Sequence, residues 1–294
     1  FENKKQLILL SVSMKKSKKK GFRPGYDRAT QFQLHTLMLP GTILMLMFSV
    51  VPLFGLLLAF KNYKVIEGIK GVFTSPWYGF QNFKIIFGNF DFRRMLTNTL
   101  GINLIGNLVG ILAAIGFALF INEISRARFK SVVQTVTYMP YFISTVVLVA
   151  MMNLFFSPSS GFVNTIIKAF GGEAVYFMGM SSLFPHMYVW SGIWQSMGYS
   201  SIIYIAALSG VSPELHESAV IDGANILQRI WHIDIPTIMP TMIILLIMSC
   251  GNIMNVGYEK VYLMQNDLIA DVSEIISTYV YKIGLTNNQF SFST

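Results

Sequence analysis

Charged residues are scarce in these 294 amino acids. Asp, Glu, Lys and Arg make up 12% of the chain, against roughly 25% in an ordinary soluble domain. With 53% hydrophobic residues and a mean hydropathy of +0.54, that scarcity excludes a soluble fold and places the chain among integral membrane proteins. The single cysteine, Cys250, lies in an apolar run, which rules out an intrachain disulfide and argues against a thiolate metal site. The four histidines, His35, His186, His216 and His232, form no H-E-x-x-H pair, so they read as structural or surface residues and no metal is expected. There is no G-x-x-x-x-G-K-[ST] loop to cradle nucleotide phosphates and no G-x-S-x-G nucleophile turn. No series of ionisable residues runs through the apolar segments as a proton-coupled carrier would need. A polytopic enzyme of lipid or polysaccharide metabolism and an independent secondary carrier stay open as alternatives, both weakened by these absences.

The apolar runs themselves are long. A spanning helix needs about 20 mostly apolar residues, and five segments qualify: 37–60, 95–121, 132–156, 184–208 and 237–258. The expected organisation is a basic tail, 1–35, followed by one all-α transmembrane domain, 36–294. The tail holds Lys15, Lys16, Lys18, Lys19, Lys20, Arg23 and Arg28. Such a cluster before the first span marks the cytoplasmic side and can touch anionic lipid, so the net charge of +8 needs no nucleic acid. With the N-terminus cytoplasmic, the loops 122–131 and 209–236 also fall inside, and 61–94, 157–183 and 259–290 fall outside. Residues 1–13 precede Met14, the more natural start. The segment DVSEIISTYVYKIG near the C-terminus places Ile275, Ile276, Tyr279, Val280 and Ile283 on one helical face and reads as an interfacial helix.

One polar interruption stands out, ESAVIDGANILQRIWHIDIP at 217–236. Ser212, Pro213 and Glu214 suit the start of a helix, and Gly223 suits its end. Asn225 can cap a second helix carrying Ile226, Ile230 and Ile233 on one face, with Pro236 closing it. The loop is acidic, with Glu214, Glu217, Asp222 and Asp234 against Arg229, whereas helices lying on membranes carry Lys and Arg. A compact knob built around Ser218, Ala219 and Ala224 therefore suits a protein groove better than lipid.

The spacing Glu217, Ser218, Ala219, three residues, Gly223, nine residues, Ile233, one residue, Ile235, Pro236 resembles the cytoplasmic "EAA" signature of permeases in binding-protein-dependent ABC importers, E-A-A-x3-G-x9-I-x-L-P. The middle Ala is Ser and the Leu is Ile. Asp222 and Ala224 in IDGAN, YMPYFIS at 138–144, and the run from Trp194 to Asn225 are similar to the carbohydrate branch, notably the lipo-oligosaccharide and pectin-oligosaccharide permeases of Gram-positive bacteria. The resemblance implies a type I ABC importer transmembrane domain in a bacterial cell membrane, with five spans present and a sixth expected beyond Thr294. It implies a non-catalytic subunit that pairs with a second, unlike permease and rests on two ABC ATPase subunits holding ATP and Mg; this chain needs no cofactor of its own. An extracellular sugar-binding lipoprotein would deliver an oligosaccharide. Leu215 to Asp222 would be the coupling helix, with Glu217 placed for a salt bridge and Gly223 for the corner.

Sugars are held by aromatic faces, amides and hydroxyls. In the late spans these are Trp194, Gln195 and Tyr199, and then Asn252, Asn255 and Tyr258, with Asn252 and Asn255 expected to share one helical face. Trp77, Tyr78 and Phe80 in the first outer loop, and the loop 157–183, are candidates for docking the binding protein.

Overall fold

The computed structural model of the protein describes residues 28–294, so the lysine cluster with Arg23 and residues 1–13 lie outside the described residues. The chain divides into two compact units, Phe1–Leu57 and Leu58–Thr294. In the first, helix α1 (Arg28–Met45) loosens into a wide turn at Leu46–Val50, and the run then tightens from Val51 to Phe60. Pro52 lies just past the wide turn, where its ring and missing N–H displace the helical ladder. Leu37, Phe48 and Leu53 are exposed, as lipid-facing side chains are.

The second unit is built on α2 (Phe90–Asn122) and α5 (Phe184–Leu208). One buried cluster joins Ile102 of α2 to Phe184 of α5. Another joins Ala114, Ile115, Ala118 and Leu119 of α2 to Tyr204 and Leu208 of α5. Both helices meet the two clusters in the same order, so they run parallel. Between them lie α3 (Ala127–Tyr138) and α4 (Thr145–Phe155); α6 (Pro213–Ile221), α7 (Ile226–Arg229) and α8 (Ile235–Gly251) follow α5. Beyond them stand α9 (Tyr258–Met264) and α10 (Ile276–Tyr281).

Among the described residues, three helices are long and apolar enough to cross a membrane: Gln31–Phe60, Phe90–Asn122 and Ile226–Gly251. The 25 residues of α5 are enough in length, but serines, glycines, a glutamine and a histidine dilute its hydropathy. Two of the expected spans are not straight. The segment 132–156 bends by 97° between Phe142 and Thr145, because Ile143 is extended after the tight Met139–Phe142 turn containing Pro140, and Ser144 caps a fresh helix by accepting from Val147 N. The segment 237–258 is helical only to Gly251; residues 252–257 are irregular. The expected interfacial helix is instead docked into the unit, with Ile275 wholly buried. Asn98 donates to the carbonyls of Asp271 and Glu274, and Thr99 Oγ1 accepts from Ile276 N.

Helix α5 also packs backbone to backbone on α3. A Cβ on Gly198, which is buried, would overlap the carbonyl of Thr137, whereas one on Gly116 of α2 would meet nothing within 4 Å. Small residues allow such close approach between membrane helices. Gly198→Ala should therefore destabilise the protein by about 1–3 kcal/mol, while Gly116→Ala should be neutral or stabilise it by about 0.5–1 kcal/mol. Thermal unfolding of the detergent-purified variants checks the contrast.

Candidate functional site

Two places concentrate polar side chains: the helical corner at 212–236 and a groove between α2 and α5.

At the corner, Ser212 stands at the N-cap of α6 and Pro213 at its first position, but the Ser212 hydroxyl accepts no capping bond; only its carbonyl does, from Leu215 N. The other end follows the expected pattern. Gly223 has φ 82°, its N–H donates to Val220 O at 3.0 Å, and Ala224 N–H reaches back to Ala219 O at 2.8 Å. This is the paired closure that a left-handed residue makes at a helix end. Asn225 then opens α7 with reciprocal bonds: its Oδ1 accepts from Gln228 N at 2.9 Å, and its own N–H donates to Gln228 Oε1 at 2.8 Å.

Pro236 does not end this second helix. A wide turn at Ile230–Asp234 absorbs the proline, and α7 continues into α8, so Ile226–Gly251 is one 26-residue helix. Proline is tolerated in a first helical turn, where its missing N–H costs little. Ile233 is half-buried within the wide turn.

Two polar contacts tie the corner down. Asp234, 0% exposed, has its Oδ1 3.2 Å from His216 Nε2 of α6, close enough for an ion pair although the angles make no hydrogen bond. Arg229 pairs with Glu123, just past the end of α2, at 3.2 Å. His216 and Glu123 thus have roles that sequence position alone did not announce, since each finds its partner only through the fold. Leu215, Glu217, Ser218, Asp222 and Gly223 remain exposed, with Ala219 and Ala224 half-buried. Beside them lie the bare apolar side chains of Val220, Ile221, Leu227 and Trp231.

The groove is two adjoining cavities, about 500 Å³ and 320 Å³, which share Gly106, Asn107, Gly110 and Ser196. Tyr199 lines the larger, its ring stacked on Tyr141 with centroids 3.8 Å apart. Gln195 and Asn255 line the smaller. Gln195 is partly committed: its Nε2 donates at 2.7 Å to the carbonyl of Ile143, at the bend before α4.

The other expected pathway residues fall elsewhere. Trp194 faces an apolar cavity with Trp190 and Met151. Tyr258 clusters with Tyr262 and Tyr281. Asn252 bonds back to Met248 O at 3.2 Å, and past the end of α8 it shares no helical face with Asn255. The groove instead takes in Asn103 and Asn107, an i, i+4 pair on α2. Just past the end of α8, Asn103 Nδ2 donates to the carbonyls of Asn252 and Ile253, at 3.1 and 2.6 Å, the first of which also accepts from Asn255 N at 2.9 Å, and Asn107 donates to Asn103 Oδ1. The four-residue spacing in INLIGN was the available signal.

Lys260 of α9 also lines the smaller cavity, 8% exposed, its Nζ donating to Tyr188 O at 2.8 Å and lying 4.6 Å from the Tyr188 ring centroid. Burial lowers its pKa to about 8. Among the described residues no three His, Cys, Asp or Glu side chains gather as a metal site.

Residues 106–277 match the model of the family described as "Binding-protein-dependent transport system inner membrane component". Protein LplB of Bacillus subtilis (strain 168) is 39% identical over 261 residues, 89% of this chain and 81% of that protein. The polygalacturonan/rhamnogalacturonan transport system permease protein YteP of the same organism is 38% identical over 284 residues, 97% of this chain and 87% of that protein. Among solved structures, a chain of a bacterial ABC transporter involved in the import of the acidic polysaccharide alginate superposes with TM-score 0.81 at 35% identity, covering 89% of this chain and 87% of that one. A second structure of a bacterial alginate ABC transporter, in complex with an alginate pentasaccharide-bound periplasmic protein, gives TM-score 0.80.

Asp234 is a buried acid whose near partner is His216 at 3.2 Å, so removing the imidazole should lower stability by leaving that acid without its neighbour. In thermal melts His216→Ala should unfold at a lower temperature than wild type, and His216→Ala with Asp234→Asn should recover part of the loss.

Proposed function

The chain belongs to the binding-protein-dependent transport system inner membrane components and is a non-catalytic permease subunit of an ABC sugar importer; from that premise we propose how it is driven and where its sugar passes. The N-terminus and the 209–236 corner are cytoplasmic. There, α6 docks into a cleft of a partner ABC ATPase, which holds the ATP and Mg. Leu215, Val220 and Ile221 offer apolar contact and Glu217 and Asp222 offer charge, all exposed.

The observation that carries this reading is the continuity of α7 with α8 behind a corner fixed by Gly223. Helix α7, joined to α6 through the corner and to the spanning α8 as one continuous helix, moves that span when the ATPases close. His216 to Asp234 and Arg229 to Glu123 make α6, α8 and the end of α2 follow together. This is rigid-body coupling, with the subunit rocking between inward-facing and outward-facing states.

The oligosaccharide passes along the α2/α5 groove. Asn107, Ser196 and Asn255 offer amides and a hydroxyl, and the Tyr141–Tyr199 stack offers an aromatic face. A second, unlike permease closes the pathway, and an extracellular sugar-binding lipoprotein delivers the sugar, as the alginate transporter's bound periplasmic protein suggests. Exposed Trp77 and Phe80 in the outer loop offer that protein a contact.

A Cβ at Gly223 would meet nothing within 4 Å, so substitution there strains only the left-handed backbone. A β-branched residue costs about 1–3 kcal/mol in that conformation, while Asn tolerates it. In the assembled importer, Gly223→Val should abolish sugar uptake with membrane insertion unchanged, and Gly223→Asn should keep most of it. Full uptake by Gly223→Val refutes the coupling role.

A further inference from the structure

The second unit buries two lysines without a matching anion, Lys61 and Lys260; Lys61 donates to the carbonyls of Val72 and Phe73, and Lys260 lines the groove. Lys260 is 8% exposed, and no carboxylate lies within 4.0 Å of its Nζ among the described residues. Its partners are neutral, the carbonyl and ring of Tyr188. They orient the ammonium and leave its charge uncompensated. Glu274 is engaged with Lys282, Gln265 and Thr278, and Asp271 with Ser181, while the adjacent Glu259 is exposed and lies beyond 4.0 Å of the Lys260 ammonium.

A buried charge is costly unless paired. The surroundings are those of a ligand pocket. Lys260 lines the 320 Å³ cavity with Asn103, Asn107, Ser196 and Asn255. A Cβ on Gly192 would come within 3.3 Å of Nζ, so the glycine leaves the ammonium its room. With a pKa of about 8, the group is charged at neutral pH.

We propose that Lys260 supplies the counter-charge for a carboxylate on the transported sugar, so that this cavity selects uronate-containing oligosaccharides over neutral ones. The ammonium pairs with the uronate carboxylate as the sugar enters, while the neighbouring amides and hydroxyl take up sugar hydroxyls. The proposal rests on the α2/α5 groove being the sugar path, and it adds the charge of the cargo.

The test uses the full importer, with its partner permease and ATPases, in nanodiscs without the binding protein, titrated with trigalacturonate and with its trimethyl ester. Wild type should bind the acid at least tenfold more tightly than the ester, with the difference shrinking as salt rises. Lys260→Met should lose that preference by weakening acid binding alone, and Lys260→Arg should keep most of it. Equal affinity for acid and ester in wild type, binding of neither, or a Lys260→Met loss equal for both probes overturns the proposal. Should Lys260→Met fail to assemble, the wild-type acid-to-ester ratio and the Lys260→Arg variant decide alone. Failure here leaves the coupling reading intact, since uptake by Gly223→Val tests that separately.

Discussion

Inside a lipid bilayer a backbone carbonyl freed from a helix has no water to turn to, so a helix can break there only where another group supplies a donor. This constraint shapes the permease's second unit. The helical path is interrupted at Ile143 and again at Asn252 and Ile253, and each interruption is closed by a side-chain amide from a neighbouring helix. Gln195 of α5 reaches the first and Asn103 of α2 reaches the second. Leaving the carbonyl of Ile143 or Ile253 unpaired and buried costs about 1–3 kcal/mol, whereas that of Asn252 also accepts from Asn255 N at 2.9 Å. The breaks in turn give the groove its polar lining, because α2 and α5 must carry polar residues to serve them.

In the proposed coupling, the same helices would carry a movement of the knob to that groove. From Asn107 to Asn122 helix α2 is unbroken over sixteen residues, roughly 24 Å at the helical rise. Glu123 is held to Arg229, so a displacement of α7 reaches the asparagine pair through one rigid element. Helix α8 offers a second such path, from Asp234 to the carbonyls that Asn103 holds. The two paths converge on Asn103. Rigid elements joined at such bonds shift between discrete arrangements rather than deforming continuously.

Much of this was legible in the sequence, and the rest was hidden for physical reasons. The corner could be read because its devices are local: a glycine that must take φ 82° and an asparagine that caps three residues ahead each act within one turn. The groove could not, because Gln195 and Asn103 act on residues 52 and about 150 positions away. A hydropathy window sees an apolar run and cannot see that Gly251 and Asn252 end the helix within it. Pro236 misleads in the opposite direction, since a proline just before a long apolar run looks like a stop. The wide turn ahead of it lets the ladder continue. Trp194 and Tyr258 have the side chains a sugar needs, but type does not tell facing, and the turn of α5 directs Trp194 to an apolar cavity.

Helix ends and buried charge belong to one electrostatic arrangement. The carbonyls at the C-terminal end of a helix carry partial negative charge, and where α8 stops, Asn103 spreads two amide donors over those of Asn252 and Ile253. Lys260 stands farther along the same cavity, bonded to one carbonyl of α5. An amide neutralises a freed carbonyl without adding net charge, so the asparagine leaves the field of the ammonium largely unchanged. Had the break been closed by a lysine or arginine, the cavity would hold a second cation and would repel the first. Had it been closed through a carboxylate, Lys260 would have its counter-charge within the protein. Closure by neutral amides is the arrangement that leaves one positive charge facing the groove.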